Sequence, residues 1–275
     1  MQPWIRQTAY TDPGRHGPAL QALGADLAQA VRAIQGVLIH GEAMEAYGLP
    51  RAGFSRDTLP VAARIDAVLR LDERPLGIGR APDRRSPGTC RDYALLLCSA
   101  MRASGRAARV RCGFAAYLGG APWEDHWICE VQAAGRWRRV DAQLDEVLQA
   151  AFGVAFDPLD MPPAAFLTAD EAWRLLRSAR LDARDLGHGE ARGAWFACVN
   201  LVRDRLALED RVTSAWDGWR IAAADPPAPE AEILARGDRL ASSVGAGCPE
   251  PWWLADADTP EETSWTPAPA SKPIG

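Results

Sequence analysis

Apolar residues change from a helical to a strand-like period between residues 90 and 141, and this change constrains the fold more than any other feature of the sequence. After Cys90 they recur at helical spacing. From residue 109 to 114 they alternate with arginine and glycine, as in a half-buried strand. Residues 126–131 and 136–141 predict two more strands, joined by a turn in Ala133-Ala134-Gly135. The central third therefore predicts a helix followed by an antiparallel sheet.

Helical patterns flank this central region on both sides. Leucine, valine and isoleucine recur every three or four residues between Pro18 and Tyr47, which predicts one amphipathic helix, and a second is expected after Asp57. Thr168 and Glu171 have the spacing of a capping box ahead of another helix. Further helices are expected over residues 194–208 and 232–240, whereas residues 74–88 lack a period and predict a loop.

The composition indicates an ordinary globular protein. Its 31 basic and 36 acidic residues are mixed along the chain, so a nucleic-acid partner is not expected. The first residues lack a basic stretch followed by an apolar run, and no segment has the roughly 18 apolar residues of a membrane span, so we expect a cytoplasmic protein with no membrane partner. Six cysteines without paired spacing argue against a disulfide framework.

No internal repeat or sharp boundary divides the chain, so we expect one continuous α+β domain. In this interpretation residues 1–85 form an N-terminal helical part, residues 86–145 the catalytic core and residues 146–248 a C-terminal helical part. Residues 249–275 combine prolines with acidic residues, and they predict a disordered tail.

Cys90 occupies a position that favours a reactive thiol. Thr89 and Asp92 have the spacing of an N-cap and its partner three residues later, which predicts a helix that begins at Cys90. The positive end of a helix favours thiolate over thiol, and the thiolate is the form that attacks a carbonyl. The backbone N–H of Cys90 is then available to an oxyanion, and Gly88 permits close approach of a substrate backbone.

A nucleophilic cysteine needs a base, and His126 is the best placed of the histidines at positions 16, 40, 126 and 188. His126 begins a predicted strand, and Asp141 ends the next one. A hairpin that turns symmetrically about Ala133 and Ala134 would set His126 directly opposite Asp141, with Cβ atoms about 4.5 to 5.5 Å apart. We therefore predict that Asp141 orients His126.

These residues resemble the transglutaminase-like superfamily. The similarity rests on Gly88-Thr89-Cys90-Arg91-Asp92-Tyr93-Ala94, on Asp125-His126-Trp127 and on Trp137-Arg138-Arg139-Val140-Asp141, in that order and at suitable spacing. It implies a papain-like core in which the nucleophile-bearing helix packs on an antiparallel sheet, flanked by additional helices. It also implies that Cys90 is the nucleophile, His126 the general base and acid, and Asp141 the orienting carboxylate.

A weaker likeness extends beyond the three motifs. Residues 156–160 and 200–204 look similar to the C-terminal halves of bacterial transglutaminase domain-containing proteins. Ala142-Gln143-Leu144 departs from the family, because many relatives have proline, threonine and asparagine after the aspartate. Acidic residues with calcium-loop spacing are absent from the sequence, so the calcium dependence of animal transglutaminases is not carried over.

Other interpretations of the same residues remain open at this point. A lone cysteine is more often a buried structural thiol than a nucleophile. His126 and Cys129 have the spacing of metal ligands, but three positions along a strand they point to opposite faces. Asp145 is a substitute orienting carboxylate, and Asp92 is better explained as a helix cap.

Tryptophans and arginines near the motifs also allow two interpretations. Trp123 and Trp127 flank His126, where they would line an acyl-binding groove or pack in the core. Arg80, Arg84 and Arg85 precede Cys90, where they would attract a carboxylate-bearing substrate or belong to a solvated loop.

Three functions follow from this chemistry. The preferred hypothesis is hydrolysis of a peptide, protein or small-molecule amide or acyl bond through a thioester on Cys90, with no cofactor and no metal. Amine transfer by a transglutaminase-type acyltransferase is the second, and it would require a groove that binds the amine and excludes water. The third is a non-catalytic binding module on the same fold.

Overall fold

The computed structural model describes residues 4–55, 60–120, 122–209 and 229–242. Its α-helices are α1 (Gly17–Leu23), α2 (Leu27–Val37), α3 (Val61–Leu71), α4 (Cys90–Ala103), α5 (Glu146–Phe152), α6 (Ala169–Arg177), α7 (Ala194–Leu208) and α8 (Glu230–Ser242). Its strands are β1 (Leu38–His40), β2 (Ser86–Gly88), β3 (Ala108–Ala115), β4 (Trp123–Ala133), β5 (Arg136–Val140), β6 (Phe166–Thr168), β7 (Leu186–His188) and β8 (Ala191–Arg192). Short 3₁₀ segments cover Gly14–His16, Gly41–Tyr47, Pro82–Arg84 and Ala183–Asp185. None of the described helices is both long and apolar enough to cross a membrane.

The main sheet has the strand order β6-β3-β4-β7-β8, and β5 also pairs with β4. β3 and β4 are antiparallel and pair from Ala108 opposite Val131 to Ala115 opposite Glu124. The predicted helix followed by an antiparallel sheet is therefore confirmed, and with it the α+β class.

Helix α4 packs against one face of β3 and β4. Its residues 91–102 are all buried. Because successive side chains of a strand alternate between faces, Trp127 and Cys129 join the cluster around α4. Ile128 belongs to a different cluster with Phe166. His126 shares the parity of Ile128 and so emerges on that second face.

The N-terminal prediction of one long amphipathic helix is wrong, because the segment divides into α1, α2, β1 and a 3₁₀ stretch. Gly24 ends α1 where a Cβ atom would lie 2.0 Å from the carbonyl oxygen of Ala100 in α4. The side chain of Asp26 then accepts from the N–H of Gln29 at 2.7 Å and begins a new helix. The apolar residues keep helical spacing through the break, so periodicity alone does not reveal it.

The predicted loop over residues 74–88 needs a correction at its end, where β2 pairs in parallel with β1. The rest is irregular apart from the short 3₁₀ segment. Arg80 is buried, and its guanidinium donates to the carbonyl oxygens of Pro75 at 3.0 Å and Asp72 at 3.1 Å. Arg80 therefore organises the loop from inside, which neither a solvated loop nor a substrate-binding arginine would do.

The C-terminal predictions agree well with the structure. Thr168 and Glu171 form the capping box of α6, with the two reciprocal hydrogen bonds at 2.9 and 3.3 Å. α7 has the predicted bounds, and α8 covers the predicted short helix. α3 begins at Val61, close to the helix expected after Asp57, although residues 56–59 and the predicted tail at 249–275 lie outside the described residues.

Buried polar contacts attach α7 to the sheet. The carboxylate of Asp204 accepts from the Cys112 N–H at 2.9 Å and from the Arg111 guanidinium at 2.9 and 2.8 Å. Four residues earlier on the same helix, Asn200 donates to the Asp125 carboxylate at 2.8 Å. Asp125 precedes His126 on β4, so α7 supports the strand that carries this histidine.

Candidate active site

Cys90 is the first residue of α4. Asp92 accepts from the backbone N–H of Thr89 at 2.8 Å and from the Thr89 hydroxyl at 3.2 Å. These bonds fix the helix start and confirm the prediction that Asp92 acts as a cap. Among the described cysteines, only Cys90 is not buried. Its sulfur therefore combines a helix N-terminus with access from solvent.

A buried arginine from α3 reinforces this helix start. Arg64 donates to Oδ1 of Asp92 through Nη2 at 2.8 Å and Nε at 3.1 Å, and to the carbonyl oxygen of Pro87 at 3.0 Å. A Cβ atom at Gly88 would lie 2.9 Å from Oδ2 of Asp92. The glycine thus makes room for the cap, and the structure gives this reason for it rather than the predicted approach of a substrate. Sequence reasoning missed Arg64, because its contact spans two helices with no local signal.

His126 and Asp141 are in direct contact. Nε2 of His126 lies 2.8 Å from Oδ2 of Asp141, and both residues are 1% exposed. The predicted register is nevertheless wrong, because β5 pairs Val140 with Cys129 and its ladder stops there. In this register Asp141 is two positions away from the place opposite His126. An offset of two keeps a side chain on the same face, so the two residues still meet.

Three donors surround the Asp141 carboxylate. Oδ2 also accepts from the hydroxyl of Tyr117 at 2.5 Å, and Oδ1 accepts from the backbone N–H of Gln143 at 2.9 Å. Burial raises the pKa of Asp141, but the charge and hydrogen bond of His126, followed by the bonds from Tyr117 and Gln143, outweigh it and leave the pKa below its ordinary value. Asp141 is therefore held as a carboxylate.

Cys90 lies near enough to His126 to contribute to the raised pKa of its imidazole. Since Nε2 faces Asp141, Nδ1 is the ring nitrogen left for the sulfur. Burial by itself lowers the pKa of His126, but the charge and hydrogen bond of Asp141, with a further contribution from Cys90, outweigh it and raise the pKa to about 10. The imidazole is thus favoured in its protonated form beside Cys90, and Asp141 stabilises that charge.

Aromatic rings enclose the histidine. Tyr117 and Phe166 meet the His126 ring edge-on, at centroid distances of 5.9 and 6.5 Å. Phe156 in turn packs on Tyr117 at 5.3 Å. A nearly dry surrounding strengthens the electrostatic interaction between the imidazole and its carboxylate.

The strand pairing of β4 is interrupted beside His126. On one side of β4, β7 pairs with Trp123 and Glu124, and β5 pairs only from Cys129 onward. Among the described strands, none pairs with residues 125–128 on that side. The catalytic candidates meet at this break, where α4, β4 and the segment after β5 converge.

Comparison with known proteins bears on this arrangement. Residues 79–142 match the family model of the transglutaminase-like superfamily. This segment is therefore similar to the transglutaminase-like superfamily. The matched residues of the transglutaminase-like segment include Cys90, His126 and Asp141. No curated protein matches the chain.

One solved structure also resembles the chain that carries this transglutaminase-like segment. It is the crystal structure of a candidate cysteine protease from Cytophaga hutchinsonii, with 18% sequence identity and a TM-score of 0.32. The match covers 55% of this chain and 43% of that chain, which is less than half of that protein's length.

The structure resolves most of the alternatives around the transglutaminase-like core. Asp145 caps α5 and accepts from the hydroxyl of Tyr47 at 2.9 Å, so it does not orient His126. Cys129 packs in the α4 cluster on the face opposite His126, so the two do not converge on one ion. Within the described ranges, no group of three histidine, cysteine or acidic side chains has metal-binding geometry.

The tryptophans and arginines next to the transglutaminase-like motifs make contacts within the described fold. Trp127 is buried, with the Arg91 guanidinium 4.1 Å above its ring. Trp123 packs against the cluster around α6 and α7. Arg84 donates to the carbonyl oxygen of Leu71 at 2.9 Å, and Arg85 donates to that of Arg80 at 3.1 Å.

Proposed function

We propose that this protein is a thiol enzyme that hydrolyses amide or other acyl bonds with Cys90, His126 and Asp141 as its triad. The observation that carries the proposal is the buried contact of His126 with Asp141 at 2.8 Å, beside a partly exposed Cys90 at the N-terminus of a buried helix. The superfamily match over residues 79–142 supports a cysteine-type enzyme.

The first half of the reaction forms a thioester. The Cys90 thiolate attacks the substrate carbonyl carbon, and the carbonyl oxygen takes up the negative charge near the backbone N–H of Cys90. As the tetrahedral intermediate collapses, protonated His126 gives its proton to the leaving nitrogen. The C–N bond breaks, an amine leaves, and the acyl group stays on sulfur.

The second half returns the enzyme to its starting state. Neutral His126 takes a proton from water, and the resulting hydroxide attacks the thioester carbonyl. The C–S bond breaks, the Cys90 thiolate leaves and a carboxylic acid is released. Asp141 stays ionised throughout, holding the imidazole and stabilising its charged form.

Water is the acyl acceptor in this proposal, and the substrate is a peptide, protein or small-molecule amide. Amine transfer needs a bound amine that reaches the thioester before water does. Cys90 is only partly buried, so water can reach an acyl group on its sulfur, and hydrolysis requires no second binding site.

Labelling with iodoacetamide tests the activated thiol without knowledge of the substrate. We expect wild-type Cys90 to label at pH 6 faster than glutathione, because a thiol of ordinary pKa, about 8.5, is only about 0.3% ionised there. His126→Ala should lower the labelling rate by roughly 100-fold at pH 6, and Asp141→Asn by a smaller factor. Site-resolved mass spectrometry separates Cys90 from the other cysteines.

His16→Ala is the matched control variant. Nε2 of His16 lies 2.7 Å from Oδ1 of Asp66, a histidine–carboxylate pair like the proposed one but at the surface of α3. This variant should label at the wild-type rate. If Cys90 in folded wild-type protein labels no faster than glutathione at pH 6, the proposed enzymatic function is refuted. The remaining hypothesis is then a non-catalytic binding module.

The choice between hydrolysis and transfer is tested with phenyl thioacetate as acyl donor. With a millimolar primary amine present, we expect acetate as the product at an unchanged rate, and no turnover by Cys90→Ser. N-acetylated amine as the main product would replace hydrolysis with acyl transfer.

A further inference from the structure

Tyr117 contacts the proposed triad through a bond that the motifs do not predict. It lies two residues beyond β3, in the connection that leads to β4. Its hydroxyl donates to Oδ2 of Asp141 at 2.5 Å, the same oxygen that His126 contacts at 2.8 Å. The same carboxylate oxygen of Asp141 is therefore hydrogen-bonded by both the Tyr117 phenol and the His126 imidazole.

The ring of Tyr117 is held on both sides. It meets His126 edge-on at 5.9 Å with an interplanar angle of 82°, and it meets Phe156 at 5.3 Å and 66°. The neighbouring Ala116 is anchored by its N–H, which donates to the carbonyl oxygen of Ala165 at 3.0 Å. These contacts fix the direction of the hydroxyl, so its bond to Asp141 does not depend on a freely rotating side chain.

We propose that Tyr117 is a positioning residue of the active site, whose hydroxyl holds Asp141 in the orientation that binds His126. This inference rests on the proposed function for its effect on reactivity. The hydroxyl is about 2.5 Å from the carboxylate and donates to its charged form, so it also keeps Asp141 ionised in a buried environment.

The titratable groups around Asp141 are His126, Tyr117 and, through His126, Cys90. Burial, with the charges of Asp141 and Cys90, raises the pKa of Tyr117 well above its ordinary value, so the phenol keeps its proton and remains a donor. The remaining contact is the Gln143 N–H, which stays in every variant proposed below.

The direct test is the titration of Asp141 followed by its ¹³Cγ resonance, in wild type and Tyr117→Phe. The phenylalanine keeps the ring contacts and removes only the hydroxyl. We expect the midpoint to rise by about one pH unit, because one of three donors to the charged form is lost. An unchanged midpoint would overturn the inference. This measurement does not depend on whether Cys90 is reactive.

Tyr47→Phe is the matched control. Tyr47 donates its hydroxyl to Oδ2 of Asp145 at 2.9 Å, so the variant removes a tyrosine–aspartate bond of the same kind four residues along the chain. The Asp141 midpoint should stay where it is in wild type. A shift of equal size in both variants would mean a general loosening of the structure and would count against Tyr117 as a specific positioning residue.

The rate at which iodoacetamide labels Cys90, measured against pH, tests whether Tyr117 affects the reactivity of the thiol. In Tyr117→Phe we expect the acid limb of the labelling profile to move to higher pH by about as much as the Asp141 midpoint, with a rate close to wild type at pH 8. Tyr117→Phe combined with Asp141→Asn should label no more slowly than Asp141→Asn alone, because Tyr117 acts through Asp141. Additive losses would show an independent, merely structural role.

The two hypotheses fail in different ways. If wild-type Cys90 is unreactive but the Asp141 midpoint shifts in Tyr117→Phe, the proposed enzymatic function is refuted and the positioning role of Tyr117 stands. If Cys90 is reactive but neither the Asp141 midpoint nor the labelling profile changes in Tyr117→Phe, the proposed enzymatic function stands and the positioning role is refuted.

Discussion

Gly113 is the β3 residue opposite His126, and its missing side chain leaves room for the neighbouring strand. A Cβ atom there would lie 2.1 Å from the carbonyl oxygen of Leu167 and 2.7 Å from the ring of Phe166. We expect Gly113→Ala to lower the free energy of unfolding by about 2 to 3 kcal/mol, because backbone of β6 must shift. Urea unfolding measures this loss.

Gly53→Ala is the control for that substitution. A Cβ atom at Gly53 meets nothing within 4 Å, so alanine there should change the free energy of unfolding by less than about 0.5 kcal/mol. If both alanine substitutions change the free energy of unfolding equally, the close approach of β6 at Gly113 is not the cause of the loss.

Residue chemistry made part of the site predictable. Cys90 was predicted through the cap pattern at Thr89 and Asp92, and His126 through its place in a predicted strand, which in the structure begins three residues earlier at Trp123. Tyr117 and Arg64 were not found, because each acts through one long-range contact, to Asp141 and Asp92, that leaves no local pattern. Tertiary packing alone creates such contacts.

At the scale of elements, the attachment of α7 to β3 depends on one carboxylate. Asp204 is 2% exposed and accepts from Arg111 and from the Cys112 N–H. Asp204→Asn should lower the free energy of unfolding by about 3 kcal/mol, because it leaves part of the Arg111 charge uncompensated in the interior. Urea unfolding followed by circular dichroism measures the change.

An exposed ion pair on the neighbouring helix provides the comparison. Asp170 and Arg174 on α6 approach to 2.8 Å at i, i+4 spacing and lie at the surface. Asp170→Asn should cost no more than about 0.5 kcal/mol. If Asp204→Asn were as mild as this control, the Asp204 contacts would contribute no more to stability than a surface ion pair does.

The three central strands and the helix before them followed from periodicity, but the hairpin register did not. The turn uses Ala134 and Gly135, both at positive φ of 50° and 76°, rather than Ala133 and Ala134. Gly135 adopts this conformation freely, and two such residues form the tight turn that matches strand twist. Moving the turn centre by one residue moves every cross-strand pair by two, which explains why the predicted partner was wrong and the predicted face was right.

At the scale of the whole molecule, the His126–Asp141 pair makes stability depend on pH. The pKa of His126 is raised from 6.5 to about 10, so its stabilising contribution is complete below about pH 6.5 and is lost as pH rises toward 10. The pKa of Asp141 is lowered from 3.8, so its contribution is present above pH 4 and is lost on acidification. The pair therefore stabilises the fold most between about pH 4 and pH 6.5.

His126→Gln should accordingly destabilise the protein more at pH 6 than at pH 9, by about 2 to 3 kcal/mol. The measurement is the free energy of unfolding in urea at both pH values, for this variant and for wild type. His16→Gln, in the partly exposed pair with Asp66, should show a much smaller difference. A destabilisation by His126→Gln that does not vary with pH would contradict the linkage.

The Arg64–Asp92 contact has an electrostatic consequence for the nucleophile. A bare carboxylate in the first turn of α4, two residues after Cys90, would repel a negatively charged sulfur and offset the attraction of the helix dipole. Arg64 lies 2.8 Å from that carboxylate, and both side chains are at most 6% exposed, so the two charges cancel locally. The helix can thus begin with a strong acidic cap and still present a field that favours an anion at its first residue.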